Sequence, residues 1–304
     1  MTMNFKYPLI IFLIFICLVT GAPDQPEAGI VTDRLGRKVY MPADPKRVIA
    51  LAPSVTEIIF ALKQEKRLKG VTRFSDFPEE AAKYPKVGSY VHLDLEKIVS
   101  LKPDCCIAIK DGNPKKVIDK LESLKIPVYA VDPRSLDSVM ETFLEIGMLL
   151  DAEKKAKNLV QSMRSRIENV KSRVAKSLKR PRVFFQIGIS PTVSAGTDTF
   201  IHQLIILAGG ENLAKGPRPY PRYSQEQVLA FSPEVFIITS MARGKIFENV
   251  KAKWSRWSDM PAVKNNRIYI VDSNLFDRPT PRLVDGLELL ARLIHPELFQ
   301  EEAP

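Results

Sequence analysis

The stretch LEKIVSLKPDCCIAI at residues 95–109 decides the fold, because it recurs in related form as QEQVLAFSPEVFIIT at residues 225–239. The second copy begins 225 − 95 = 130 residues after the first. In each copy, a short segment with helical spacing precedes a proline and a β-branched apolar run, which predicts a helix, a turn and a buried strand. The matched positions are Glu96 with Glu226, Ile98 with Val228, Val99 with Leu229, Leu101 with Phe231, Pro103 with Pro233 and Ile107 with Ile237. A sequence unit that occurs twice predicts two lobes of similar fold.

The segments around both copies predict the same order of strands and helices. RVIALAPSVTEIIFAL at residues 47–62 predicts a strand and a helix, and RVFFQIGISPTVSAG at residues 182–196 restarts the series with a similar strand. Short apolar strands that alternate with helices indicate βαβ units around a parallel sheet. The sequence therefore predicts an α/β protein with two similar α/β lobes and a ligand cleft at the carboxyl ends of their strands.

A single long helix is predicted between the lobes, over residues 152–178. Its apolar residues recur every three or four positions and form one stripe, and no proline or glycine interrupts it. At 1.5 Å per residue the helix would be about 40 Å long, which makes a stiff connection. The stripe consists of Leu159, Met163, Ile167, Val170, Val174 and Leu178. The predicted divisions are a signal peptide at 1–22, an N-terminal lobe at 23–134, a helical segment with the interlobe helix at 135–180 and a C-terminal lobe at 181–304.

The chain of 304 residues has a formal net charge of +10, most of which lies in one segment. Residues 152–180 carry ten Lys and Arg against two Glu, a net of 10 − 2 = +8. No aromatic residues that could stack on bases are interleaved with these charges. We interpret the run as the solvated face of a helix and expect no nucleic-acid partner.

The N-terminus has the pattern of an export signal. Lys6 precedes an apolar run from Leu9 to Val19, and small residues follow it. Eleven apolar residues are too few to span a bilayer, which takes about 20. Pro23 disfavours a cut after Ala22, so the bond after Gly21 is the favoured site; no cysteine stands at residue 22 for a lipid anchor. The sequence predicts a periplasmic protein.

Motifs for catalysis or metal binding are weak. No Gly-x-Gly-x-x-Gly motif follows a strand, and no phosphate-binding loop or nucleophile elbow is present. Cys105 and Cys106 are adjacent in an apolar run and are predicted to be buried thiols, and the three histidines are scattered. We predict a binding protein without a catalytic cofactor or a resident metal, and not an enzyme; a two-lobed exported enzyme is the less favoured alternative.

Taken together, these phrases resemble the substrate-binding proteins of the ABC importers for cobalamin, ferric siderophores and haem, with wording closest to the cobalamin-binding members. Beyond the segments quoted above, the resemblance rests on FSDFPEEA, KDGN, LAGGENL and FDRPTPR, and it runs from about residue 47 to residue 282. The resemblance implies a monomer that captures cobalamin as a transported ligand and delivers it to a permease and ATPase complex in the inner membrane.

The resemblance also implies a role for the two matched glutamates. In such proteins a glutamate on each lobe docks into arginines of the permease, and by motif position these are Glu96 and Glu226. Two carboxylates held apart by a rigid body would orient the protein on the permease and raise the rate of their association. The alternative is an ordinary acid in the first turn of a helix, stabilised by the helix dipole.

By motif position, the resemblance implies a ligand-binding set at the cleft. It consists of Phe74, Tyr90, Tyr220, Asn274, Leu275, Phe276, Asp277 and Arg278. The two tryptophans, Trp254 and Trp257, fall outside the positions where the relatives carry tryptophan, and Ile109 and Ile187 replace aromatic residues.

The identity of the ligand remains open at this level. Arg218, Arg222 and Arg278 would suit a haem propionate or a siderophore carboxylate, which is the alternative to a corrinoid. His92, beside Tyr90, would offer a nitrogen to cobalt or iron if it reached the cleft, although a surface histidine is the simpler interpretation.

Overall fold

The computed structural model describes residues 29–239 and 246–299. The predicted export signal lies outside these residues. No helix within the described ranges combines the length and the apolar character that are needed to cross a membrane.

The N-terminal lobe is built on a four-stranded parallel sheet with the strand order β4-β3-β5-β6. An antiparallel hairpin, β1–β2, precedes it. The sheet strands are short and almost entirely buried, as expected for a parallel sheet covered on both faces. The strands are β1 (Gly29–Thr32), β2 (Lys38–Met41), β3 (Val48–Ala50), β4 (Leu68–Val71), β5 (Cys105–Ile109) and β6 (Val128–Val131), and the helices are α1 (Pro53–Ala61), α2 (Leu95–Ser100) and α3 (Lys115–Ser123).

The C-terminal lobe repeats this plan around β7, β11 and β12, which pair in parallel. On the other side of β7, the sheet continues antiparallel through β8 to β10, and the short β9 also pairs with β7. The strands are β7 (Arg182–Gly188), β8 (Thr192–Ser194), β9 (Glu211–Asn212), β10 (Arg222–Tyr223), β11 (Val235–Ile238) and β12 (Ile268–Ile270), and the helices are α6 (Phe200–Leu207), α7 (Gln225–Phe231), α8 (Ile246–Ser255), α9 (Pro261–Lys264) and α10 (Leu283–Ile294).

Helix α4 (Leu136–Leu149) leads into α5 (Glu153–Val174), the long helix that bridges the lobes. The longer helix, α5, packs on α4 on one side and on α10 and α6 of the C-terminal lobe on the other. The guanidinium group of Arg166 on α5 donates to Asp285 at 2.6 Å and to Glu288 at 2.8 Å on α10. The predicted interlobe helix is therefore present and unbroken.

The helix ends four residues before the predicted end. Met163, Val170 and Val174 of the predicted stripe are buried, but Leu178 is 98% exposed. Leu178 has no apolar surface to pack against, so the stripe does not extend the helix beyond Val174.

The 130-residue repeat is confirmed in three dimensions. Helix α2 begins at Leu95 and α7 at Gln225, and strand β5 begins at Cys105 and β11 at Val235, each pair 130 residues apart. In both helices the residue two positions after the glutamate points into the lobe, and Ile98 and Val228 are fully buried. The fold is thus two similar α/β lobes bridged by one long helix.

A single apolar core runs through both lobes. It includes buried residues of α1, α4 and α5 together with those of β7, α6 and α10, while two smaller clusters cover the opposite face of each sheet. Cys105 and Cys106 lie in these cores as free thiols, as predicted, and burial raises the pKa of both. A core shared across α5 couples the lobes firmly.

Candidate functional site

A cavity of about 990 Å³ lies between the two lobes. Its walls are formed by residues that follow the carboxyl ends of β3, β5 and β6 in the N-terminal lobe and of β7 and β12 in the C-terminal lobe. Ligands of open α/β sheets bind at such strand ends. The cavity is the cleft that the sequence predicts.

Six of the eight predicted ligand-binding residues line this cavity. They are Phe74, Tyr90, Tyr220, Asn274, Asp277 and Arg278. The other two lie elsewhere: Phe276 is fully buried with its ring centroid 5.5 Å from that of Phe185, and Leu275 packs against the main core. Leu275 ends the one-turn helix at Ser273–Leu275 and Phe276 follows it, and both side chains pack toward the core instead of the cavity.

The two tyrosines occupy equivalent places in the two lobes. Tyr220 follows Tyr90 by 220 − 90 = 130 residues, the same offset that relates Glu226 to Glu96. Each tyrosine therefore precedes its glutamate-bearing helix by the same number of residues. This relationship is visible in the sequence and gives the cavity one aromatic side chain from each half.

The loop that carries Tyr90 is fixed by a neighbouring amide. The Nδ2 atom of Asn113 donates to the carbonyl oxygens of Leu51 and Tyr90, each at 2.8 Å. Its Oδ1 atom accepts from the backbone N–H of Ile109 at 2.8 Å. The KDGN motif thus holds Tyr90 against the end of β5.

Apolar side chains complete the walls. Phe74 is 42% exposed and faces the cavity together with Ile109 and Ile187. The two isoleucines stand where the resemblance implies aromatic residues, and the structure confirms that they line the cleft. The apolar surface is consequently less aromatic than the resemblance alone implies.

Five aspartates line the cavity, of which the sequence analysis identified only one. They are Asp111, Asp132, Asp198, Asp272 and Asp277. Asp132 comes directly after β6 and Asp272 follows β12 after one residue, so the rule that ligands bind at strand ends could have found them. The cleft is acidic.

The two arginines that line the cavity are already paired with carboxylates. Arg134 donates to Asp132 at 3.0 Å and forms an ion pair with Asp111 at 3.2 Å. Arg278 forms ion pairs with Glu57 and Asp76, each at 3.0 Å. Neither guanidinium group carries an uncompensated positive charge toward the cavity.

Asp277 has an unusual environment. Burial raises the pKa of its carboxyl to about 7, which the nearby Arg278 partly opposes. Its Oδ1 atom is buried and makes no hydrogen bond with the described part of the chain, and the Thr239 side chain close by lowers the pKa only in part. A buried polar atom at a cavity wall needs a partner, and a bound ligand is well placed to supply one.

The remaining candidates do not reach the cleft. Arg218, Arg222 and His92 are exposed and lie outside the cavity wall. Trp254 is buried in the C-terminal lobe and donates to Gln186 at 2.9 Å. Within the described ranges no group of His, Cys, Asp and Glu is arranged to hold a metal ion.

The two matched glutamates are exposed at the starts of α2 and α7. Helix α2 is capped by the Asp94 side chain and α7 by that of Ser224. A hydrogen bond with Ser224 lowers the pKa of the Glu226 carboxyl. Both carboxylates are therefore presented to solvent at the same position of equivalent helices.

The chain is similar to a curated bacterial protein and to solved structures of binding proteins. The chain is 32% identical over 279 residues to the uncharacterized ABC transporter substrate-binding lipoprotein YvrC of Bacillus subtilis, covering 89% of this chain and 87% of YvrC. The vitamin B12 binding protein BtuF of Vibrio cholerae superposes with a TM-score of 0.72 at 27% identity, over 85% of this chain and 99% of that one. A periplasmic heme binding protein from Pseudomonas aeruginosa superposes with a TM-score of 0.76 at 26% identity, over 83% of this chain and 93% of that one.

Residues 48–275 match the periplasmic binding protein family, and this match spans both lobes and the connecting helices. Together with the two-lobed fold and the interlobe cavity, it shows that the chain belongs to the periplasmic binding protein family.

Proposed function

We propose that this protein is the exported substrate-binding component of an ABC importer, that it captures a corrinoid in the interlobe cleft and that it delivers the ligand to a membrane permease. The observation that carries the proposal is the charge of the cleft, which five aspartates and two arginines line. Asp111 and Asp132 pair with Arg134, whereas Arg278 pairs with carboxylates outside the lining, so the lining keeps a net negative charge. An anionic chelate would meet repulsion there. Cobalamin, whose periphery bears neutral amides, would not.

The shape and chemistry of the walls support the same ligand. Known ligand pockets have volumes of about 300–1,000 Å³, so the cavity of about 990 Å³ suits a large ligand. Phe74, Tyr90 and Tyr220 offer aromatic surface to the apolar edge of a corrin ring. Asn274 and the unpartnered oxygen of Asp277 are suited to amide groups at its periphery.

A haem or a ferric siderophore is the second candidate, because a haem-binding structure is among the similar proteins. The arginines that suit such ligands in the sequence do not supply free charge in the cleft, since two are remote from it and Arg278 is paired. We therefore rank an anionic chelate below a corrinoid.

Delivery would involve Glu96 and Glu226 as docking groups for the permease. Their support is their equivalent placement, one exposed carboxylate on each lobe, together with the stiff connection through α5. We further propose that the mature chain begins after a signal peptide at 1–22 and consists of lobes at 23–134 and 181–304 joined by the segment 135–180.

Calorimetric titration of the mature protein with cyanocobalamin, haem and a ferric siderophore tests the ligand. We expect saturable cyanocobalamin binding that changes little between low and high salt, because no net charge is neutralised. Absence of cyanocobalamin binding, together with salt-sensitive binding of haem or of the siderophore, would assign the cleft to an anionic iron ligand instead.

A further inference from the structure

One carboxylate of the N-terminal lobe binds two arginines of the C-terminal lobe. The Oε1 atom of Glu57, on α1, accepts from Nη1 of Arg278 at 3.0 Å and from Nη2 of Arg282 at 2.7 Å. Its Oε2 atom accepts from Nε of Arg282 at 2.9 Å. These contacts join residues more than 200 positions apart and cross from one lobe to the other.

The cluster is shielded from solvent. The Glu57 side chain is 2% exposed, and those of Arg278 and Arg282 are 13% and 16% exposed. The Arg282 guanidinium also lies over the Phe77 ring, 3.8 Å from its centroid. In such surroundings an ion pair is screened far less than on the surface, so removing one partner leaves a charge that acts over a distance.

Arg278 makes two further contacts with the N-terminal lobe. Its Nη1 atom contacts Asp76 Oδ1 at 3.0 Å, and its Nη2 atom donates to the carbonyl oxygen of Phe74 at 3.1 Å. Two carboxylates thus balance two guanidinium groups. Arg278 lines the cavity, whereas Glu57 and Arg282 lie behind it.

We propose that Glu57 is a positioning residue that sets the charge selectivity of the cleft by holding Arg278 and Arg282 as neutralised pairs and so denying their charge to a bound ligand. The inference rests on the proposed function in one respect, that the transported ligand occupies this cleft. It adds a role for a side chain that does not line the cavity. With Glu57 neutral, one positive charge next to the cavity becomes available to an anionic group.

The test compares two corrinoids that differ in charge: cyanocobalamin and its monocarboxylate, in which one peripheral amide is hydrolysed to an acid. Their dissociation constants are measured for the full mature protein and for Glu57→Gln, at low and at high salt. We expect the wild-type protein to prefer cyanocobalamin, and Glu57→Gln to reduce that preference about three- to tenfold at low salt and less at high salt.

Two further variants separate the effect of the Glu57 charge from a general loss of structure. Glu57→Gln/Arg282→Gln removes one charge of each sign and should restore the wild-type preference. Asp33→Asn removes another buried carboxylate that is paired with an arginine, Arg37 at 2.6 Å, within the N-terminal lobe and away from the cavity, and it should leave the preference unchanged.

The outcomes distinguish this inference from the proposed function. Tight cyanocobalamin binding with the same preference in wild type and Glu57→Gln would overturn the role of Glu57 and leave the corrinoid assignment standing. If the calorimetric titration described above shows haem binding and no corrinoid binding, stronger haem binding by Glu57→Gln and a return to the wild-type haem affinity in the double variant would overturn the corrinoid assignment and keep the role of Glu57. Equal loss of selectivity in Asp33→Asn, or binding of none of the probes by either protein, would overturn the inference.

Discussion

Gly112 lies against the ring of Tyr90, so closely that a Cβ atom at residue 112 would be 2.5 Å from both Cδ2 and Cε2 of the tyrosine. Gly112 also has φ of +126°, a conformation that side chains rarely adopt. Gly112→Ala should therefore displace Tyr90 from the cavity wall. We expect weaker corrinoid binding in calorimetry and a free energy of unfolding lowered by about 1–3 kcal/mol.

A matched control exists at Gly36, which has φ of +74° but nothing within 4 Å of its Cβ position. Gly36→Ala introduces backbone strain without touching the cavity and should leave ligand affinity unchanged. If both variants weaken binding equally, strain rather than the position of Tyr90 is responsible.

Tyr220 provides the second test of the aromatic walls. Stacking of an aromatic side chain contributes about 0.5–1.5 kcal/mol, so Tyr220→Ala should raise the dissociation constant for cyanocobalamin roughly two- to twelvefold. Tyr40→Ala is the control, because Tyr40 is exposed on the β1–β2 hairpin outside the cavity. Unchanged affinity in Tyr220→Ala would place the ligand elsewhere in the cleft.

The raised pKa of the Asp277 carboxyl predicts one part of the dependence of stability on pH. Folding raises the pKa of this carboxyl from 3.8 to about 7, so the folded state binds its proton more tightly than the unfolded state does. The contribution of Asp277 to the free energy of unfolding should consequently fall as the pH rises from about 4 to above 7. Asp277→Asn should stabilise the protein at pH 8 by roughly 1–3 kcal/mol and have little effect at pH 4.

Urea denaturation at both pH values measures this difference. Asp198→Asn serves as the control, since Asp198 lines the same cavity but is exposed to solvent, and it should not change the pH dependence. A wild-type protein that is equally stable at pH 4 and pH 8, with Asp277→Asn following the same curve, would contradict the buried-acid interpretation.

Local patterns predicted the architecture because the relevant information is local. Repeated short apolar strands define the parallel sheets, and the 130-residue offset locates equivalent elements in both lobes. The spacing does not locate the end of α5, because Leu178 continues the helical spacing but meets no packing surface in the tertiary structure.

The direction of side chains and the pairing of residues distant in sequence account for the remaining differences between the predicted and the observed site. Motif position identified the loop at residues 274–278 but did not show that Phe276 turns inward to Phe185 while Asp277 faces the cavity. Arg278 looked available for an anionic ligand because its partner, Glu57, stands 221 residues away in the chain. Pairing over that distance leaves no local pattern to detect.

The last prediction concerns Glu96 and Glu226, whose equivalent placement on two firmly coupled lobes suits a two-point contact with a permease. Because both carboxylates are exposed and lie outside the cavity, Glu96→Ala or Glu226→Ala should weaken permease association and ligand uptake while leaving the affinity of the purified protein for its ligand unchanged. Removing both should reduce the association rate more than either single change does, and added salt should narrow the difference from wild type.

Association kinetics with the detergent-solubilised permease and ATPase complex measure this effect, alongside titration of the free protein. Glu153→Ala is the matched control, since Glu153 is also an exposed glutamate in the first turn of a helix, α5, but has no counterpart in the other lobe. Its replacement should leave permease association unchanged, because a lone first-turn acid interacts only with its own helix dipole. A loss of ligand affinity in Glu96→Ala or Glu226→Ala would show instead that these carboxylates act on the cleft.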